Sequence, residues 1–276
     1  MSLVLRALAI TLASLSLAAC GSDVVRQSDG RITTASSPQT GVMATIWSPS
    51  IRRIVVEVDY GVGATPYVGA TQGIADLWGI LRSNVTRLFA GSGKSITVPT
   101  TLAQMQAIPV SAQEFTAGDL LALSRRYRNV AATADTASFH VMILNGIFRD
   151  DNGQRRADLL GGQLDGTGVI VIFRPVVAST ASPARPYAPA VVEQMALVHE
   201  FGHAVGMVAN GVEAVSGGQD PVYHHHCAST RCVMNAYNEG ATAALAFVTR
   251  YATTGDAVLF GAECLADAAA AIQRAR

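Results

Sequence analysis

The stretch VVEQMALVHEFGHAV, Val191 to Val205, decides how this chain is read, and a later run, His224-His225-His226-Cys227, answers it. Read as a helix, it sets His199 and His203 one turn apart on a shared face, so both imidazoles can reach one metal ion. Glu200 adjoins them, placed to take a proton from a metal-bound water. The order His199-Glu200-Phe201-Gly202-His203 is the H-E-x-x-H signature of zinc hydrolases. Apolar residues surround it, which argues for an enclosed helix rather than a solvated face.

Two imidazoles do not complete such a site. Catalytic zinc usually takes three protein ligands and keeps a fourth position for water. Gly206 permits the sharp turn that ends the helix, after which the chain can return with a third ligand. His224, His225, His226 and Asp220 are the candidates. Asn210 reads as a turn residue after the helix. His140 lies in an apolar run and reads as a satisfied core histidine.

Working outward, Ile54 to Tyr60 is a β-branched run and reads as a strand. Residues 71–90 carry Ile74, Leu77, Trp78, Leu81, Val85 and Leu88 at the spacing of an amphipathic helix. Ser95 to Val98 reads as a short strand stopped by Pro99, and Thr116 as the cap of a helix through about Tyr127. Phe139 to Leu144 and Gly168 to Phe173 read as strands, the second central in a sheet because nearly all of it is apolar. Between them, Asp150 to Gly153 and Gly161-Gly162 suggest a hairpin loop and an edge strand. A proline-rich segment leads into the motif helix, and an alanine-rich helix runs from about Glu263 to Arg274. The class is α/β (α+β): a twisted mixed sheet with packed helices. The motif helix closes a subdomain of residues 51–206, and a smaller irregular one covers 207–276.

Half of the 276 residues are hydrophobic, 14% are charged, and the formal net charge is zero. A large core is therefore expected, and no basic field invites nucleic acid. The N-terminus reads differently. Leu3 to Leu17 is apolar apart from small hydroxyls and Arg6, and it leads through Ala18-Ala19 to Cys20. Residues 1–20 look like a secretory signal peptide and resemble a bacterial lipobox, which implies lipidation at Cys20 and attachment to a membrane of the bacterial cell envelope. Residues 21–50 read as a flexible tether and 51–276 as one catalytic domain. In an oxidising compartment Cys227 and Cys232 are near enough in sequence to form a small disulfide loop, with Cys264 a buried thiol and Cys232–Cys264 the alternative pair.

The motifs resemble those of the metzincin peptidases, whose pattern is H-E-x-x-H-x-x-G-x-x-H followed by a methionine turn. His199, Glu200, His203 and Gly206 match, and Ala209 stands where the third histidine would be. In the archaemetzincin branch the third histidine is followed directly by C-x4-C-x-M, and His226-Cys227-Ala228-Ser229-Thr230-Arg231-Cys232-Val233-Met234 has that spacing. The resemblance implies His226 as third ligand, displaced by a loop over 207–225, with Met234 packed beneath the metal. It implies one zinc ion and hydrolysis of a peptide or protein substrate, with Glu200 as general base. Tyr237 is the candidate to stabilise the oxyanion, as a tyrosine past the methionine turn does in some metzincins. No C-x-x-C pair follows Met234, so a second zinc is not expected. The rival reading is a non-catalytic envelope lipoprotein that binds zinc.

Overall fold

The computed structural model describes residues 31–32, 45–237 and 240–276. Residues 1–20, read from the sequence as a signal peptide ending at Cys20, and most of residues 21–50, read as a tether, lie outside them. In chain order the strands are β1 (Arg31–Ile32), β2 (Arg53–Tyr60), β3 (Ser95–Thr97), β4 (Gln106–Ala107), β5 (Glu114–Phe115), β6 (Thr136–Leu144), β7 (Ile147–Arg149), β8 (Arg155–Arg156), β9 (Gly161–Leu164) and β10 (Val169–Phe173). The helices are α1 (Trp78–Leu88), α2 (Ala117–Tyr127), α3 (Arg174–Ala178), α4 (Ala188–Ala204), α5 (Ala241–Thr254) and α6 (Ala262–Arg274). Among the described residues no helix is long and apolar enough to cross a membrane.

The main sheet has the order β1-β9-β10-β6-β2-β3, with β4 also paired to β2. Every pairing in it is parallel except β9 with β10. A small sheet, β5-β7-β8, stands apart. The sheet is therefore mixed, as the sequence suggests, and β6 and β10 are buried along their whole length. A strand covered on both faces reads as continuous apolar sequence because neither face meets water.

Alternate residues of β6 serve opposite layers. Phe139 stacks on Phe201 of α4, with ring centroids 4.6 Å apart. His140 points the other way: its Nδ1 is 2.8 Å from Ser124 Oγ on α2, and its Nε2 is 2.9 Å from Asp59 Oδ2 on β2. His140 is thus a satisfied core histidine. Helix α2 starts at the expected cap, where Thr116 Oγ1 accepts from the Asp119 N–H and the Asp119 carboxylate accepts from the Thr116 N–H.

Two elements depart from the sequence reading. Helix α1 starts at Trp78 rather than near residue 71, because Gln72 and Gly73 adopt positive φ (45° and 81°). Ile74 and Leu77 still enter the core, but from a turn. Helix α5, unexpected from the sequence, packs Ala244 and Phe247 into the core and lies against α4. The C-terminal part is therefore less irregular than expected.

Candidate metal centre and active site

Every residue of the 17-residue helix α4 is buried. Polar groups on such a helix are costly to bury unless they are bonded. Glu193 is bonded, to the Tyr67 N–H at 2.9 Å and to Arg174 at 2.7 Å. Burial pushes the Glu193 carboxyl up to about 7 against the pull of Arg174. The helix ends where Gly206 takes φ 87° and donates its N–H to His203 O, while Met207 N–H bonds Gly202 O. Asn210 Nδ2 donates to the same His203 carbonyl at 3.1 Å, so it works at the helix end as expected.

The structure brings His199, His203 and His226 together. One ring nitrogen from each lies within 4.8 Å of the others, and all three side chains are buried. His199 and His203 face each other through their Nε2 atoms at 2.9 Å. The His226 ring centroid is 5.3 Å from that of His199 and 5.1 Å from that of His203. With Nδ1 as donor, His199 bonds Val233 O at 2.8 Å and His226 bonds His224 O at 3.2 Å. Each of these bonds leaves the Nε2 lone pair for a cation, the usual way outer contacts orient metal-binding imidazoles. His226 Nε2 is buried without a hydrogen-bond partner, an arrangement that a bound cation would satisfy. A tetrahedral zinc with Zn–N near 2.0–2.1 Å holds its nitrogens about 3.3 Å apart, so the residues present fit the ion.

The other candidates for third ligand are held elsewhere. His224 is exposed, and His225 takes φ 65°, the left-handed turn that delivers His226 inward. Asp220 Oδ1 accepts the N–H groups of Val222 and Tyr223, and those bonds hold its carboxyl below the usual range. Asp220 therefore organises the loop that ends at His226. For His226 itself, burial first and then the nearness of His199 push the imidazole down to about 4. It is neutral at physiological pH, as a metal ligand must be.

Met234 is fully buried under helix α4. Its turn is tied by Cys227 N–H to Met234 O, Asn235 N–H to Cys232 O, and Asn235 Nδ2 to Cys227 O. Tyr237 is exposed, and its hydroxyl donates to that of Tyr223, with the rings edge-on at 5.2 Å. Cys227, Cys232 and Cys264 are buried, and no disulfide joins the Cys227–Cys232 pair expected from the sequence. Helix α6 brings Cys264 beside them, with its Sγ 3.5 Å from that of Cys232, so three sulfurs share one small space.

Strand β9 passes directly over Glu200. A Cβ at Gly161 would stand 3.5 Å from Glu200 Cγ and only 2.6 Å from Val171 O, so glycine alone fits there. The outer edge of β9 pairs with β1, Arg31 opposite Gln163 and Ile32 opposite Leu164. Beside His203 opens a cavity of about 230 Å3, walled in part by Trp47, Gln163, Asp165 and Asn210. Sequence reasoning missed this cavity because no local motif marks residues that meet only through the fold.

No family model matches the chain, and no curated protein matches it by sequence. Among solved structures, a zinc-dependent peptidase from Methanocorpusculum labreanum (strain Z) is similar at 14% identity, over 77% of this chain and 99% of that chain, with a TM-score of 0.39.

Proposed function

We propose that the chain is a zinc-dependent endopeptidase of metzincin type, close to the archaemetzincins, attached to the bacterial envelope through a lipid on Cys20. The observation that carries the reading is the convergence of the His199, His203 and His226 imidazoles on one point, with Glu200 on the same helix and Met234 packed beneath. The three Nε2 atoms would hold one zinc, which, when bound, acidifies water and polarises a carbonyl.

The chain's own groups do the rest. Glu200, on a helix buried throughout, accepts the proton of the attacking water and passes it to the leaving amine nitrogen. Val233 O and His224 O fix the ring orientations of His199 and His226, so the ligand set is assembled before substrate arrives. An extended peptide takes the place of the chain's own residues 31–32 on the edge of β9, where they form a ladder. Tyr237 supports the carbonyl oxygen as negative charge develops on it, after leaving its partner Tyr223.

The test is hydrolysis of a fluorogenic peptide by the zinc-loaded protein beside Glu200→Gln. The variant keeps its zinc and loses at least about a hundredfold in kcat, the scale of a general base. Chelator-sensitive proteolysis undiminished in Glu200→Gln would end this reading.

A further inference from the structure

The face of the main sheet that turns away from α4 carries a second group of metal-binding side chains. Glu57 and Asp59 stand two residues apart on β2 and so share that face, and His140 lies opposite Glu57 in the β2–β6 ladder. One ligand atom from each lies within 4.8 Å of the others. Asp59 and His140 are fully buried, while the half-buried Glu57 opens the group to solvent. The group has no part in the three-histidine centre, because His140 points into the layer opposite to that of Phe139 and α4.

The buried carboxylate is only half satisfied. Asp59 Oδ2 lies 2.9 Å from His140 Nε2, but Asp59 Oδ1 is buried with no hydrogen-bond partner. Such an oxygen is costly to bury, and a cation would satisfy it. The 2.9 Å separation fits one. Neighbouring ligands of an octahedral ion, each at about 2.1 Å, stand about 3.0 Å apart, against about 3.3 Å on tetrahedral zinc. An ion here takes the place of the proton between Nε2 and Oδ2. His140 then carries its proton on Nδ1 and donates it to Ser124 Oγ at 2.8 Å, the outer hydrogen bond that metal-binding imidazoles use.

Glu57 is oriented in the same manner. Its carboxylate accepts the backbone N–H groups of Asn129 and Val130 and the Asn129 Nδ2–H. Those three donors leave one of its roughly four lone pairs for an ion. Arg128 is a neighbouring cation whose guanidinium bonds the carbonyls of Val130, Ser138 and Thr167. Its charge offsets one of the two carboxylates. With a neutral imidazole the group keeps a net negative charge, which attracts a divalent ion.

We propose that Glu57, Asp59 and His140 form a site for a divalent cation of the manganese class, separate from the three-histidine centre. Two carboxylates with octahedral spacing favour a hard ion, and the imidazole favours manganese over magnesium or calcium. The bound ion ties β2 to β6 and to the chain that follows α2.

The probe is manganese alone, added to protein already loaded with one equivalent of zinc so that the histidine centre is filled. Electron paramagnetic resonance follows the loss of the free manganese signal, and one ion is expected to bind per chain. Pulsed measurement of the bound ion shows nitrogen coupling from an imidazole, and His140→Gln removes that coupling. Glu57→Gln and Asp59→Asn weaken binding by more than about a hundredfold, and Ser124→Ala, which removes only an outer partner, by about tenfold. The double variant His199→Ala/His203→Ala keeps the ion. Each variant is first checked for an unchanged melting temperature without metal. Should Asp59→Asn fail to fold, Glu57→Gln at the half-buried rim decides the matter. No saturable binding, binding unchanged in Glu57→Gln, a bound ion without nitrogen coupling, or an ion lost from a folded His199→Ala/His203→Ala variant each overturns the site.

Discussion

The sulfur of Met234 lies where a side chain on Gly202 would begin: a Cβ there would stand 2.3 Å from Met234 Sδ, with Phe260 Cε1 at 3.1 Å. Gly202 sits between Glu200 and His203 on the motif helix, so the methionine turn can close on α4 only because this position has no side chain. Gly202→Ala pushes the turn away, and Val233 O, which orients His199, moves with it. Overpacking of a filled core costs about 1–3 kcal/mol. The variant is expected to melt several degrees lower and to lose zinc affinity in parallel. Thermal melting with metal analysis checks it; a variant with unchanged melting point and zinc would mean that the turn does not bear on the helix as described.

The three adjacent histidines are not equivalent. His226 is buried against His199 and His203, whereas His224 is exposed and His225 turns the chain. His226→Ala is expected to abolish stoichiometric zinc, while His224→Ala and His225→Ala keep it. Metal analysis of the three purified variants decides the matter. Zinc lost from His224→Ala or His225→Ala alone would reassign the ligand.

These contrasts show what a sequence can carry. The strands β2, β6 and β10 and the capped start of α2 were legible because their signals are local: β-branched runs, or a threonine three residues before an aspartate. The helical histidine pair was legible for the same reason, since one turn of helix fixes its geometry. Other features needed the assembled fold. Helix α5 is bracketed by Gly240 and by Gly255 in a left-handed cap, a readable stop signal, but its short alanine side chains leave little contrast between faces. The third thiol, Cys264, joins Cys227 and Cys232 only because α6 docks beside the methionine turn. The cavity at Asp165 is assembled from residue 47, the end of β9 and the chain just past α4, and no window of sequence contains it.

Acid should destabilise the metal-free protein through His226. In the unfolded chain this imidazole takes its proton near 6.5, but in the fold burial holds it down to about 4. Between those values the unfolded state binds more protons, so the stability present above pH 6.5 drains as pH falls towards 4. Zinc release follows the same direction, because proton and metal compete for Nε2. The melting temperature of the metal-free protein, followed from neutral to about pH 4.5, is expected to fall more steeply in wild type than in His226→Gln. Parallel curves would remove His226 from the acid transition.

The pair Arg174–Glu193 anchors the first turns of the motif helix. Arg174 is nearly buried, bonds Thr65 O and stacks on the Tyr67 ring at 4.0 Å, and it meets the fully buried Glu193 at 2.7 Å. The carboxyl is already pushed up to about 7 by burial, with Arg174 as its main relief. Removing the guanidinium leaves a buried carboxyl that must either take a proton or stay charged without a partner. Arg174→Met is therefore expected to lose about 3–5 kcal/mol in denaturant unfolding at neutral pH, the scale for breaking a buried pair. Adding Glu193→Gln to the same chain removes the stranded charge while keeping an oxygen for the Tyr67 N–H, so it should restore part of that loss. A double variant no more stable than Arg174→Met would mean that the loss comes from the packing of the arginine stem on Tyr67 rather than from the ion pair.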